Sequence, residues 1–147
     1  MRNMFKTIYL KQVVKINGLV NGKHNEIQDQ LITDIAERVY NNLATPQVNG
    51  RIELYSGGSL VKQLIVTVAN LSIEDITNGK QVSISVADDS ADEYQVDELR
   101  LYSAVSGYDG SGSGALYSVY TLETPVSKAS NQVLYIKWQL QFVKGGA

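Results

Sequence analysis

An alternating segment near the end of the chain constrains the fold more than any other feature of the sequence. In SNQVLYIKWQLQF, residues 130–142, every second residue from Leu134 to Phe142 is apolar, and most of the residues between them are polar. Because successive side chains of a strand point to opposite faces of a sheet, this pattern predicts a strand with one face in a core. Trp138 is expected to anchor that core, since Trp brings a large apolar area. The apolar series is Leu134, Ile136, Trp138, Leu140 and Phe142.

One helix is predicted, in the first third of the chain. Apolar residues recur every four positions from Ile27 to Leu43, with a second apolar stripe beside the first. Asn25 is the expected N-cap and Pro46 follows the end, which places the helix at Glu26–Leu43. Since its apolar arc is so wide, we expect the helix to lie against a sheet or against another subunit.

Turn signals divide the rest of the chain into strands. Asn-Gly pairs occur within residues 17–22 and at 78–79, and Gly57-Gly58 separates two apolar segments. Such dipeptides favour the tight turns that connect antiparallel strands. About seven or eight strands follow from these signals, which predicts a mainly β fold, an antiparallel β-sandwich or jelly-roll-like barrel, with one amphipathic α-helix near the N-terminus. The length of 147 residues predicts a single domain over residues 1–147.

The composition disfavours several classes of function. The net charge is −2 and the 13 basic residues are scattered, so we expect no nucleic-acid partner. The chain has no cysteine, which removes thiolate metal sites and cysteine nucleophiles. Lysines interrupt the N-terminal apolar residues and no window is apolar over the roughly 18 to 20 residues of a membrane span. We therefore expect no leader and no membrane contact, and synthesis in a cytoplasm.

The segment ADDSADEYQVDE, residues 87–98, carries six carboxylates. Converging oxygen ligands are what Ca²⁺ requires, but the spacing is not that of an EF-hand loop. A solvated linker between strands is the favoured interpretation, because charge runs usually face water. We therefore expect no metal or other cofactor, and calcium remains the alternative, with Asp88, Asp89, Asp92 and Glu93 as weak candidate ligands.

Two further features resemble catalytic or binding motifs. SGYDGSGSG, residues 106–114, lacks the Gly-Lys-Ser/Thr end of a phosphate-binding loop, so a flexible connection is favoured over a recognition loop containing Tyr108. His24 is the only histidine and is interpreted as a surface turn residue. No acid pair or nucleophile has a spacing that suggests catalytic roles, and we predict that the protein is not an enzyme.

The segment ALYSVYTLE, residues 115–123, is apolar on both faces. A strand of this kind is covered on both sides, by a second layer or by a neighbouring chain. We take it as the main indication of homo-oligomerisation in the sequence. The predicted interface residues are Tyr108, Tyr117, Val119 and Tyr135.

The C-terminal third has a recognisable order of segments. A Leu-x-Leu-Tyr strand at 99–102 is followed by the Gly-rich loop, a further strand, a Pro-Val-x-Lys turn at 125–128 and the closing Leu-x-Ile-x-Trp-x-Leu strand at 134–140. Residues 96–142 thereby resemble the C-terminal portion of small structural proteins of tailed phages and archaeal viruses. The resemblance implies a β-sandwich virion protein, such as a turret, tail, fibre or capsid-surface component, that packs with copies of itself and with other virion proteins.

Three functions follow from these observations, in order of preference. The first is a self-assembling virion component. The second is a lectin-like or calcium-dependent binding module that uses residues 106–114, alone or together with a calcium site in residues 88–98. The third is an enzyme that uses carboxylates.

Overall fold

The computed structural model describes residues 8–41, 50–103 and 114–145. These residues form ten strands and one α-helix. In chain order they are β1 (Ile8–Ile16), β2 (Leu19–Val20), β3 (Gly22–Ile27), α1 (Asp29–Asn41), β4 (Arg51–Ser56), β5 (Ser59–Ile65), β6 (Leu71–Ile76), β7 (Gly79–Asp88), β8 (Tyr94–Tyr102), β9 (Leu116–Lys128) and β10 (Leu134–Lys144).

The strands form two five-stranded antiparallel sheets that share one core. Sheet A has the order β2-β1-β10-β7-β6, and sheet B has the order β3-β9-β8-β4-β5. The alternating segment is β10, in the centre of sheet A, where it pairs with β1 and β7. The prediction of a mainly β, sandwich-like antiparallel fold is confirmed.

Three of the hairpins have two-residue turns, and two of these turns fall on the dipeptides that the sequence predicts. Asn17 and Gly18 connect β1 to β2, and Gly57 and Gly58 connect β4 to β5, all four with positive φ. Positive φ at both turn positions suits the right-handed twist of the flanking strands and favours Asn and Gly. The third hairpin, β6 to β7, turns at residues 77–78.

The helix begins later than the sequence predicts. Asn25 and Glu26, the expected cap and first turn, belong to β3, where they lie opposite Tyr120 and Val119 of β9. Pairing with a distant strand here overrides the local capping signal, and α1 starts at Asp29. At its other end the description of α1 stops at Asn41. His24 also lies in β3, opposite Thr121, and not in a turn.

The predicted Pro-Val-x-Lys turn is wrong, because these residues continue β9. Pro125 falls where the β8–β9 register shifts, between the pairs Glu98–Thr121 and Val96–Val126. A proline is tolerated at such an irregularity, since its missing N–H removes no regular ladder hydrogen bond. The chain turns after Lys128 instead.

Trp138 is fully buried at the centre of the core, as predicted. Its ring packs edge-on against Tyr120 of sheet B, with ring centroids 6.2 Å apart. Its Nε1 donates a hydrogen bond to Oε1 of Gln12 (3.0 Å), and the Ser118 hydroxyl donates to the same oxygen. These contacts join the two sheets through one tryptophan and its polar neighbours.

Candidate interaction surface

An apolar cleft of about 500 Å³ opens at one end of the sandwich, between sheet A and α1. Three of its lining residues come from β1, one from β10, one from β3 and two from α1. They are Ile8, Tyr9, Leu10, Phe142, Ile27, Ile32 and Ile35. The cleft is apolar on both walls, which is the usual character of a binding groove.

The cleft exists because sheet A extends past the cover that sheet B and α1 provide. Along the inner face of β1, Ile16 and Val14 are buried, Leu10 is half-buried and Ile8 is 71% exposed. Along β10, Leu134 is buried and Phe142 only half-buried. The inner face of sheet A therefore loses its partner layer towards Ile8.

Helix α1 has a second apolar stripe that is not used in the core. Leu31 is buried against the rest of the protein, whereas Ile32 is exposed. At 3.6 residues per turn, Ile32, Ala36 and Val39 lie within an arc of about 60°. Val39 is 83% exposed and Tyr40 beside it 87%. We call the cleft lining together with Val39 and Tyr40 the apolar surface.

Tyr117 does not lie at a surface, contrary to its prediction as an interface residue. It is buried between β9 and α1, and its hydroxyl donates a hydrogen bond to Oδ2 of Asp34. Burial is the main cause of a raised pKa of the Tyr117 hydroxyl, and the hydrogen bond to the Asp34 carboxylate raises this pKa further. Coverage of β9 on both faces is confirmed, but the second layer over Tyr117 is the chain's own helix. Val119, on the same strand, is half-buried.

The other two predicted interface residues are Tyr135 and Tyr108. Tyr135 lies at the start of β10, far along the strand from the cleft, and is 58% exposed. Its backbone N–H donates to Oδ1 of Asn17 at 3.1 Å. Tyr108 lies outside the described residues.

Lysine ammonium groups contact the acidic segment between β7 and β8. Nζ of Lys62 lies 2.7 Å from Oδ2 of Asp92 and 3.7 Å from Oδ1 of Asp88. Nζ of the buried Lys128 donates to the backbone oxygens of Ser90 (2.6 Å) and Asp92 (2.8 Å). These two cations therefore satisfy several of the oxygens that a bound Ca²⁺ would use.

Asp88 is buried at the base of this segment. Its carboxylate accepts hydrogen bonds from the Tyr94 hydroxyl (2.5 Å) and the Ser90 N–H (3.0 Å). Burial would raise the pKa of Asp88, but the bonds from Tyr94 and Ser90 and the charge of Lys62 outweigh it and lower the pKa to about 2. Among the described residues no three acidic, His or Cys side chains converge as metal ligands, and Asp89 and Glu93 are exposed.

A row of charged and aromatic side chains crosses the outer face of sheet B on β4 and β8. Arg51 Nε donates to Glu53 Oε2 (2.7 Å), and the Tyr55 hydroxyl donates to Glu53 Oε1 (2.5 Å). Burial would raise the pKa of Glu53, but these bonds lower it overall. A general acid needs the opposite shift, so Glu53 is not suited to that role.

Within the described residues, no helix is long and apolar enough to cross a membrane. No protein-family description, no curated protein and no solved structure matches the chain.

Proposed function

We propose that this chain is a structural protein that assembles with copies of itself through the apolar surface. The observation that carries the proposal is the exposure of apolar side chains both along the cleft, from Ile8, and on the helix that forms its other wall, at Val39 and Tyr40. Monomeric soluble proteins rarely expose contiguous apolar patches of this kind unless another molecule covers them. A second copy is the simplest partner, because it supplies the same apolar residues.

The resemblance of residues 96–142 to phage and archaeal virus proteins supports a more specific proposal. The protein would be a virion component, of the turret, tail, fibre or capsid-surface type, made in the host cytoplasm and packed against other virion proteins. Its role would depend on shape and repeated contact and would need no cofactor. A rigid two-sheet sandwich with short turns suits such a role.

We also propose that the winding is jelly-roll-like. The support is the nested pairing of strands from the two chain ends inward. In this series β1 pairs with β10, β3 with β9 and β4 with β8. A folded ribbon of antiparallel strands distributed over two sheets would give such nesting.

The test of self-assembly is the native mass of the purified chain by light scattering over a range of concentrations, with and without calcium. We expect a discrete multimer of the 16.2 kDa chain, independent of calcium. A strict monomer at every concentration would contradict the proposal and favour the lectin-like binding module. A multimer that forms only with calcium would direct attention to residues 88–98 instead of the apolar surface.

A further inference from the structure

Strand β1 has a largely unpaired edge beside the cleft. On one side it pairs with β10 over its whole length, from Ile8 to Ile16. On the other side β2 pairs only with Lys15 and Ile16. No other described strand forms a ladder with that side, so the edge from Ile8 to Val14 has no strand partner within the described residues. Such edges are templates for pairing with another chain.

The direction of the backbone groups on this edge follows from the turn. Asn17 N–H donates to the Tyr135 carbonyl of β10 (2.9 Å), so odd-numbered residues of β1 direct their backbone groups towards β10. Even-numbered residues therefore direct theirs towards the open edge. The Val14 backbone already contacts the Tyr120 hydroxyl. Ile8, Leu10 and Gln12, of which Gln12 is 7% exposed, are left as the positions for a partner strand.

We propose that two copies of the chain pair through this edge, β1 against β1 in antiparallel orientation, about a two-fold axis at Leu10. Ile8 then lies opposite Gln12 of the second copy, and the two Leu10 residues face each other. This pairing rests on the proposed self-association and names its partner and contact. It joins the two A sheets into one continuous sheet and brings the two clefts side by side.

Charge favours the register with the two-fold axis at Leu10 over the register with the axis at Lys11. With the axis at Leu10, Tyr9 of each copy lies opposite Lys11 of the other on the outer face, an arrangement that permits cation–π contact. With the axis at Lys11, the two Lys11 ammonium groups would lie directly opposite each other, which is unfavourable. That register would also place Ile8 against Val14, whose backbone already has the Tyr120 hydroxyl as partner.

The absence of cysteine makes disulfide trapping a clean test. Tyr9 and Lys11 are both exposed, so Tyr9→Cys and Lys11→Cys are expected to fold normally. Directly opposed residues of neighbouring strands have Cβ atoms about 4.5 to 5.5 Å apart, close to the range that a disulfide spans. Two Tyr9 residues would be displaced by two positions, about 7 Å along the strands, and such diagonal neighbours, about 7 to 8 Å apart, are too far for a disulfide.

We expect a mixture of Tyr9→Cys and Lys11→Cys chains to oxidise to a cross-linked dimer, and each variant alone to remain uncross-linked. A mixture of Tyr9→Cys with Lys15→Cys is the matched control and should not cross-link. Cross-linking of Lys11→Cys alone would overturn the register. A multimer by light scattering without the mixed cross-link would overturn β1 pairing and leave self-assembly standing, whereas a strict monomer would overturn both.

Discussion

Replacing Ile8 by Ser should weaken self-association and leave the folded monomer nearly intact. Ile8 is 71% exposed in the single chain, so its loss removes little packing from the monomer. In the proposed pair it would be covered by the second copy. The change therefore separates assembly from folding.

The expected size of the effect follows from the exposed fraction. Full burial of an isoleucine side chain is worth about 1.5 to 3 kcal/mol, so covering the exposed part of Ile8 contributes about 1 to 2 kcal/mol. A symmetric pair covers two such residues, which gives about 2 to 4 kcal/mol, or roughly 30- to 1,000-fold in the dissociation constant. If only one Ile8 is covered per contact, the factor falls to about 5- to 30-fold.

The chain offers a closely matched control. Ile73 on β6 is 70% exposed and lies on the opposite edge strand of sheet A. Ile73→Ser should leave the dissociation constant unchanged, because β6 is far from the apolar surface. Sedimentation equilibrium of wild type and both variants measures the dissociation constants, and urea unfolding measures monomer stability. Equal weakening by the two substitutions, or no weakening by Ile8→Ser, would refute the role of the apolar surface.

Three further predictions concern the fold. Trp138→Ala should lower the free energy of unfolding by about 3 to 5 kcal/mol in urea, and iodide should quench native Trp fluorescence poorly. Tyr117→Phe should cost about 1 to 3 kcal/mol, because it removes the donor to Oδ2 of the buried Asp34 carboxylate, although Gln30 still donates to Oδ1. Exposed Tyr135→Phe should cost nothing measurable. Since the pKa of Asp88 is lowered to about 2, it stabilises the fold above its unfolded pKa, by about 2 kcal/mol, and that contribution is lost as the pH falls towards 2. In Asp88→Asn this pH-dependent contribution to the free energy of unfolding should be absent, whereas in Asp89→Asn it should remain. Urea unfolding at pH 6, 4 and 2.5 measures it.

The sequence predicted those features that depend on neighbouring residues. The alternation in β10 is a direct consequence of strand geometry, and the structure buries Leu134, Ile136, Trp138 and Leu140 on one face. The paired turn residues at Asn17-Gly18 and Gly57-Gly58 fix two hairpins for the same local reason. Such signals need no knowledge of the rest of the chain.

The sequence did not reveal the features that distant residues decide. Asn25 and Glu26 have the local character of a helix start, yet β9, more than 90 positions away, pairs with them. The acidic segment has the composition of a calcium loop or a solvated linker, but Lys62 and Lys128 supply cations from other strands. No window around residues 87–98 contains either lysine, so neither contact could be read locally.

Tyr117 shows that a sequence pattern can predict burial without identifying the element that covers the residue. The two-sided apolar pattern of β9 correctly predicted that both faces are covered, but a pattern cannot distinguish the chain's own helix from a second chain. The structure assigns Tyr117 to α1 through Asp34. The indication of oligomerisation therefore moves from β9 to the parts of the apolar surface that the described residues leave uncovered.

Both the sequence and the structure show a wide apolar arc on α1. From the sequence it required a sheet or another subunit as cover. In the structure, sheet B covers only the side with Leu31 and Asp34, and Ile32, Val39 and Tyr40 remain exposed. The core thus accounts for one part of the arc and leaves the other part unexplained by folding alone. Exposed apolar stripes lower solubility in an isolated protein, so their presence beside the open edge of β1 is better explained by a second copy than by the monomer.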